Sequence, residues 1–216
     1  MKFRSRTLLS LEFLLLFAIV PLFLVTHRPV VPPIPLLWLV AGYCLLVLWR
    51  DPDYPRAQLW NMAALRGQLR SILLLFALGA VLIALLVWKF APGQLFNFVR
   101  THPGFWALVM LLYPVLSVYP QGIIYRAFVL HRYRNLPLAP AKQRWALIIL
   151  SALAFSFMHI VFRNWIAVAL TLVGGVLFAR RHVETQSLFV SSLEHALYGC
   201  FLFTIGLGTY FYARLI

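Results

Sequence analysis

The sequence is poor in acidic residues, in cysteine and in charge overall. Among 216 residues it has 5 Asp and Glu and 2 Cys, and 11% of its residues are charged. Both cysteines lie inside apolar runs, which predicts neither a disulfide framework nor a metal cluster held by thiolates. So little charge cannot cover the water-facing surface of a soluble domain of this size. We therefore expect no separate soluble domain.

Apolar residues fill the sequence instead. They make up 63% of the chain, against roughly 45–50% in an ordinary soluble domain, and the mean hydropathy is +0.88. We predict that the apolar runs are helices, because an unpaired backbone group in lipid costs several kcal/mol. The predicted fold is an all-α, polytopic membrane bundle of about seven transmembrane helices, forming one membrane domain over residues 1–216. The helices lie near residues 7–26, 34–49, 71–88, 105–131, 145–162, 164–179 and 187–212.

The chain is strongly basic, with 19 Lys and Arg and a formal net charge of +14. In a soluble protein this charge would suggest a nucleic-acid partner. Here the basic residues lie in short loops, where they set topology and meet anionic lipid head groups, so we predict no nucleic-acid partner. They concentrate in alternate loops, one of which contains Arg180 and Arg181. This pattern predicts a cytoplasmic N-terminus in a multi-pass protein of the inner or plasma membrane of the cell.

Polar side chains inside the apolar runs are the candidate functional residues, because such side chains are costly in a bilayer. Glu12 lies about one turn into the first helix, where its carboxylate can reach the lipid head groups. Arg126 needs a buried anion unless its side chain extends to the interface, and Glu194 is its predicted partner. The full set is Glu12, Gln121, Arg126, His159, Glu194 and His195.

These residue types narrow the chemistry that a site could perform. Two histidines and a carboxylate can bind zinc, but the sequence has neither a His-Glu-x-x-His motif nor a thiolate beside them. We predict no cofactor and no metal, although a divalent ion stays open. No serine stands in a Gly-x-Ser-x-Gly setting, which argues against a serine protease. Activation of water by a carboxylate, with imidazoles stabilising an oxyanion, fits the residues better.

Three segments resemble, in order and spacing, the motifs of the CAAX prenyl protease and bacteriocin-processing (CPBP or Abi) family of intramembrane proteases. The motifs of that family are Glu-Glu-x-x-x-Arg, Phe-x-x-x-His and His-x-x-x-Asn or Asp. The corresponding segments here are residues 121–126, 155–159 and 195–199. The resemblance covers about residues 105–212, whereas the helices of residues 1–104 have only a general membrane character.

The resemblance implies that a first-motif glutamate activates water, helped by the histidines and the third-motif amide. This sequence has Gln121 and Gly122 in place of both acids, and Gly199 in place of the amide. Glutamine cannot accept a proton at neutral pH, and general-base help is worth about 10²–10⁴-fold in rate. Another acid would have to act as the base, and Glu194 is the candidate. The predicted catalytic set is His159, His195, Glu194, Arg126 and Gln121.

Three functions follow from the sequence. The first is an intramembrane endopeptidase that uses activated water to hydrolyse a peptide bond of a membrane-associated protein or peptide. The second is a catalytically impaired relative that binds a membrane peptide or a partner protein. The third is a proton-coupled transporter in which His, Glu and Arg relay protons. The sequence does not specify the substrate, its prenylation or the oligomeric state.

Overall fold

The structure, a computed structural model, describes residues 6–27, 32–135 and 139–211. Within these ranges every regular element is helical, and six helices are long and apolar enough to cross a membrane. These are α1 (Arg6–His27), α3 (Leu65–Phe90), α4 (Pro103–Arg132), α5 (Pro140–Met158, continued by a 3₁₀ turn over His159–Phe162), α6 (Trp165–Thr185) and α7 (Leu188–Ile205). A shorter apolar helix of 17 residues, α2 (Pro33–Trp49), lies between α1 and α3.

The predicted all-α, polytopic membrane bundle is confirmed, and each predicted helix has a counterpart in the structure. The outward faces of the helices are apolar, and on α3 the large side chains of Leu78, Trp88 and Phe90 are exposed. Lipid is the solvent that accommodates such a surface. The chain is therefore an integral, multi-pass membrane protein, whereas the number of crossings and the cytoplasmic N-terminus remain predictions.

Local signals in the sequence fix where several helices begin and end. Proline occupies the first turn of α2, α4 and α5, where its missing N–H is not needed. The side chain of Asn164 caps α6 by accepting a hydrogen bond from the amide of Ala167, at 2.7 Å. Ser187 caps α7 in the same way through the amide of Val190, at 3.1 Å. The α7 helix ends at Gly206, which has a φ of 109°.

Two helices are six residues longer at one end than the sequence predicted, and α5 begins at Pro140 rather than near residue 145. The α3 helix starts at Leu65 rather than near residue 71, and α6 runs to Thr185 rather than ending near residue 179. Both extensions contain polar side chains that face inward, and Gln68 of α3 accepts a hydrogen bond from Arg181 of α6. The apolar pattern missed these turns because they carry polar residues, of which Gln68 and Arg181 contact each other inside the bundle.

The centre of the bundle is α4, which contacts α2, α5, α6 and α7. Its residues 123–128 are all buried, and all of them except Arg126 form part of the main apolar core. Two stretches of α4 are π-helical, Pro114–Val118 and Ile123–Phe128. Such wide turns occur frequently at functional sites. The second stretch carries Arg126.

Two ionic contacts hold the C-terminal end of α4. Glu12 of α1 accepts two hydrogen bonds from Arg132, at 2.8 and 2.7 Å, so the carboxylate predicted at the interface is tied to α4. Asp51, in the loop after α2, lies 3.1 Å from Nε2 of His131. Burial raises the pKa of the Asp51 carboxyl, but the hydrogen bond from the amide of Asp53 and the contact with His131 outweigh it, so the pKa is lowered from its ordinary value.

Candidate functional site in the membrane interior

The two predicted histidines meet at one phenylalanine. His159 lies in the 3₁₀ turn that ends α5, His195 lies on α7, and both are buried. The ring centroid of Phe155 lies 4.7 Å from that of His159 and 5.4 Å from that of His195. The fold thus brings together the second and third segments that the sequence analysis singled out.

Hydrogen bonds give the two neutral imidazoles opposite tautomers. Nδ1 of His159 lies 2.7 Å from the carbonyl oxygen of Phe155, which can only accept, so Nδ1 carries the hydrogen and Nε2 has a free lone pair. Nδ1 of His195 lies 2.8 Å from Nη2 of Arg126, which can only donate, so Nδ1 accepts and Nε2 carries the hydrogen. The pair therefore offers one proton acceptor and one hydrogen-bond donor.

Both histidines line a cavity of about 680 Å³ between α3, α4, α5, α6 and α7. Its wall is mainly apolar, and no Asp or Glu is among the described residues that line it. Within the part of the chain that the structure describes, no group of three or more His, Cys, Asp or Glu could hold a metal ion. The polar side chains in the wall are Tyr113, Ser117, Gln121, His159, Thr171, His195 and Tyr198.

Arg126 is buried behind this wall, with 2% of its surface exposed. Its guanidinium carbon lies 5.8 Å from the ring centroid of Phe155 and 5.3 Å from that of Phe178, which are cation–π distances. Its hydrogen-bond partner is His195, and the ion pair with Glu194 that we predicted is not formed. Glu194 interacts with Arg126 only electrostatically, at a distance longer than that of a hydrogen bond.

Glu194 pairs instead with Arg181 of α6. The guanidinium donates to both carboxylate oxygens, at 3.0 and 2.9 Å, and Glu194 is 1% exposed. Arg181 also donates to Gln68 and, at 2.9 Å, to Ser71 of α3. Because consecutive helix positions differ by about 100°, Glu194 and His195 face different neighbours, and Glu194 is not among the residues that line the cavity.

In the first segment, Gly122 stands at the position where the resemblance implies a second acid. Gln121 lines the cavity and donates a hydrogen bond to the hydroxyl of Ser117, at 2.7 Å. A Cβ at Gly122 would lie 2.8 Å from Cδ1 of Leu188, 2.9 Å from Oγ of Ser192 and 3.5 Å from Nη1 of Arg126. A glutamate at this position would therefore point into a packed region beside Arg126, not into open space.

The third segment reveals a residue that the sequence analysis missed. A Cβ at Gly199 would overlap the ring and the hydroxyl of Tyr113, which packs directly on this glycine. Tyr113 lines the cavity, and its ring meets that of His195 edge-on at 6.4 Å. Its phenol thus lies where the resemblance implies an amide side chain. The signal in the sequence was the glycine itself, because a missing side chain leaves room for a large neighbour.

Comparisons with known proteins agree with this geometry. The family model described as type II CAAX prenyl endopeptidase Rce1-like matches residues 102–201, which contain all three segments. No curated protein and no solved structure matches the chain. Residues 102–201 are therefore similar to the Rce1-like family, and the chain is a CAAX-protease-like membrane protein in which the first and third motifs depart from the family pattern.

Proposed function

We propose that this protein is a CAAX-protease-like binding protein. Its cavity takes up an apolar segment of a membrane-associated peptide or protein, and it does not hydrolyse this segment by activating water with a carboxylate. One observation carries the proposal, namely that no carboxylate is among the described residues that line the cavity. Glu194, the acid that would have to replace the missing base, has both oxygens bound by Arg181. The cavity therefore lacks the group that a carboxylate mechanism needs.

The properties of the cavity support a peptide as ligand. Its volume falls within the range of about 300–1,000 Å³ that is common for binding pockets, and its mainly apolar wall suits a segment that partitions into lipid. Nε2–H of His195 and the hydroxyl of Tyr113 are hydrogen-bond donors in that wall. A peptide carbonyl in an apolar cavity needs such donors, because an unpaired carbonyl is costly there.

Hydrolysis by the histidines is a second candidate, and the opposite tautomers favour it. Nε2 of His159 can accept a proton from water, while Nε2–H of His195 can stabilise the oxyanion that forms on the peptide carbonyl. Such an endopeptidase would work without the first-motif acids. A proton-coupled transporter gains no support, because the acid that would relay protons is held by Arg181.

A binding and cleavage assay separates these functions. The protein in lipid nanodiscs is titrated with a fluorescent oligoleucine peptide, and the peptide is then examined by mass spectrometry. We expect saturable binding and an intact peptide. The variant His195→Phe keeps a ring of similar size but loses both the Nε2–H donor and the acceptor of Arg126. We expect binding that is weaker by at least about threefold to tenfold, the effect of losing one neutral hydrogen bond.

The matched variant His159→Phe tests the second candidate. If the protein only binds, this variant leaves the affinity close to that of the wild type, because Nε2 of His159 accepts rather than donates. If the wild type cleaves the peptide and His159→Phe does not, the protein is an endopeptidase with His159 as the base. Absence of saturable binding in the wild type would contradict both candidates for this peptide class.

A further inference from the structure

The positive charge of Arg126 has no counter-charge close to it. The sequence holds five Asp and Glu, and the structure describes all of them. Each lies in an ionic contact with a different part of the chain: Glu12 with Arg132, Asp51 with His131, Asp53 with Arg134, Glu184 with Arg180, and Glu194 with Arg181. A buried guanidinium without an anion is unfavourable in the interior of a membrane protein.

Two buried polar atoms that have no hydrogen-bond partner lie beside Gly122. Nη1 of Arg126 and Oγ of Ser192 have no hydrogen-bond partner, and both residues are buried. A Cβ at Gly122 would lie 3.5 Å from the first atom and 2.9 Å from the second. An unpaired buried donor costs free energy, so two of them on one spot indicate a group that the chain itself does not supply.

We propose that Arg126 and Ser192 bind a carboxylate carried by the ligand of the cavity. The inference rests on the proposed binding function and deepens it by naming the chemical class of ligand, an apolar chain that ends in a carboxylate. A guanidinium matches a carboxylate in shape and charge, and a hydroxyl donates to the same group. Both a peptide with a free C-terminus and a fatty acid have this chemistry.

The position of the site suits a ligand that enters from the cavity. Phe155, Phe178 and His195 contact Arg126 and also line the cavity. Gln121, the neighbour of Gly122, lines it as well. The space beside Gly122 is occupied by Cδ1 of Leu188, which is the end of a flexible side chain. Binding of the ligand therefore requires this buried side chain to turn aside.

Two pairs of probes test the inference in nanodiscs, and each pair differs only in the carboxylate. One is a fluorescent oligoleucine peptide as free acid and as C-terminal amide. The other is hexadecanoic acid and its methyl ester, both radiolabelled so that their binding is measured directly and without the peptide. We expect the acid of at least one pair to bind the wild type about tenfold to hundredfold more tightly than its neutral partner. Empty nanodiscs correct for partition into lipid.

A matched pair of variants assigns the preference to Arg126. The substitution Gly122→Glu places an internal carboxylate beside Arg126 and Ser192, so it should remove the preference for the acid. The substitution Gly122→Gln has nearly the same size without the charge and fills the same space, so it should weaken the preference less than Gly122→Glu does, and the difference between the two variants measures the effect of the charge. If neither variant folds, Ser192→Ala is the substitute, because its hydroxyl has no partner to lose. This variant should reduce the preference several-fold.

The two probe pairs distinguish failure of this inference from failure of the proposed function. Equal binding of acid and neutral probes to the wild type overturns the carboxylate site and leaves peptide binding standing. An acid preference that survives both Gly122→Glu and Ser192→Ala also overturns it. If only hexadecanoic acid binds, and Gly122→Glu abolishes this binding, the carboxylate site stands and the peptide is the wrong ligand.

Discussion

The buried ion pair between Arg181 and Glu194 should dominate the stability of the contact between α6 and α7. The substitution Glu194→Gln keeps the size of the side chain but removes the charge that both N–H groups of Arg181 bind, at 3.0 and 2.9 Å. Glu194 is 1% exposed, so water cannot replace it. Removing one partner of a buried pair costs about 3–5 kcal/mol. For a chain of this length we expect a loss of about 6–20 °C in Tm.

Thermal unfolding in one detergent, followed by the fluorescence of a thiol-reactive dye, measures this loss. The double variant Arg181→Leu/Glu194→Leu is the control, because replacing both charges by apolar groups leaves no charge unpaired. Its Tm should lie closer to that of the wild type than the Tm of Glu194→Gln does. Peptide binding by Glu194→Gln at a temperature where the variant is folded should equal that of the wild type, since Glu194 is not among the residues lining the cavity. A Tm for Glu194→Gln within about 2 °C of the wild type would refute the reasoning.

Two further predictions concern Tyr113 and Asp51. Gly199→Asn should lower Tm, because the new side chain overlaps the Tyr113 ring. Adding Tyr113→Ala to this variant should restore part of the loss. Equal Tm values for the single and the double variant would contradict this packing. The lowered pKa of Asp51 stabilises the fold above the ordinary pKa of about 4, and this contribution disappears as pH falls through the lowered value. The Tm advantage of the wild type over Asp51→Asn should therefore shrink from about pH 7 to about pH 3, and a constant difference would show that Asp51 does not titrate in this way.

The sequence predicted the helices, because apolar runs depend on local geometry, and the resemblance placed His159 and His195 in one predicted catalytic set. The sequence did not predict that Arg181 pairs with Glu194. Arg180 and Arg181 look alike in a sequence, but a step of about 100° turns one outward and the other inward. In the structure Arg180 lies on the surface and pairs with Glu184 one turn away, whereas Arg181 is buried against α7.

The prediction that Glu194 pairs with Arg126 was wrong for a related reason. Sequence reasoning matched the buried arginine to a buried acid, although a cation in a protein interior can also rest on aromatic faces and a neutral imidazole. Phe155, Phe178 and His195 do this for Arg126. Such contacts leave no pattern in the sequence, because any apolar helix contains phenylalanines.

These contacts explain how the site keeps its geometry without the first-motif acids. Arg126 donates to Nδ1 of His195 and thereby fixes Nε2–H as the donor, and this contact needs no carboxylate. His159 is oriented by the Phe155 carbonyl of its own helix, again without an acid. The positioning of the imidazoles therefore does not depend on the first-motif acids, and it persists with Gln121 and Gly122 in their places. On the proposed function, such a site still holds a peptide carbonyl, and Nη1 of Arg126, which has no hydrogen-bond partner, favours a ligand that brings its own carboxylate.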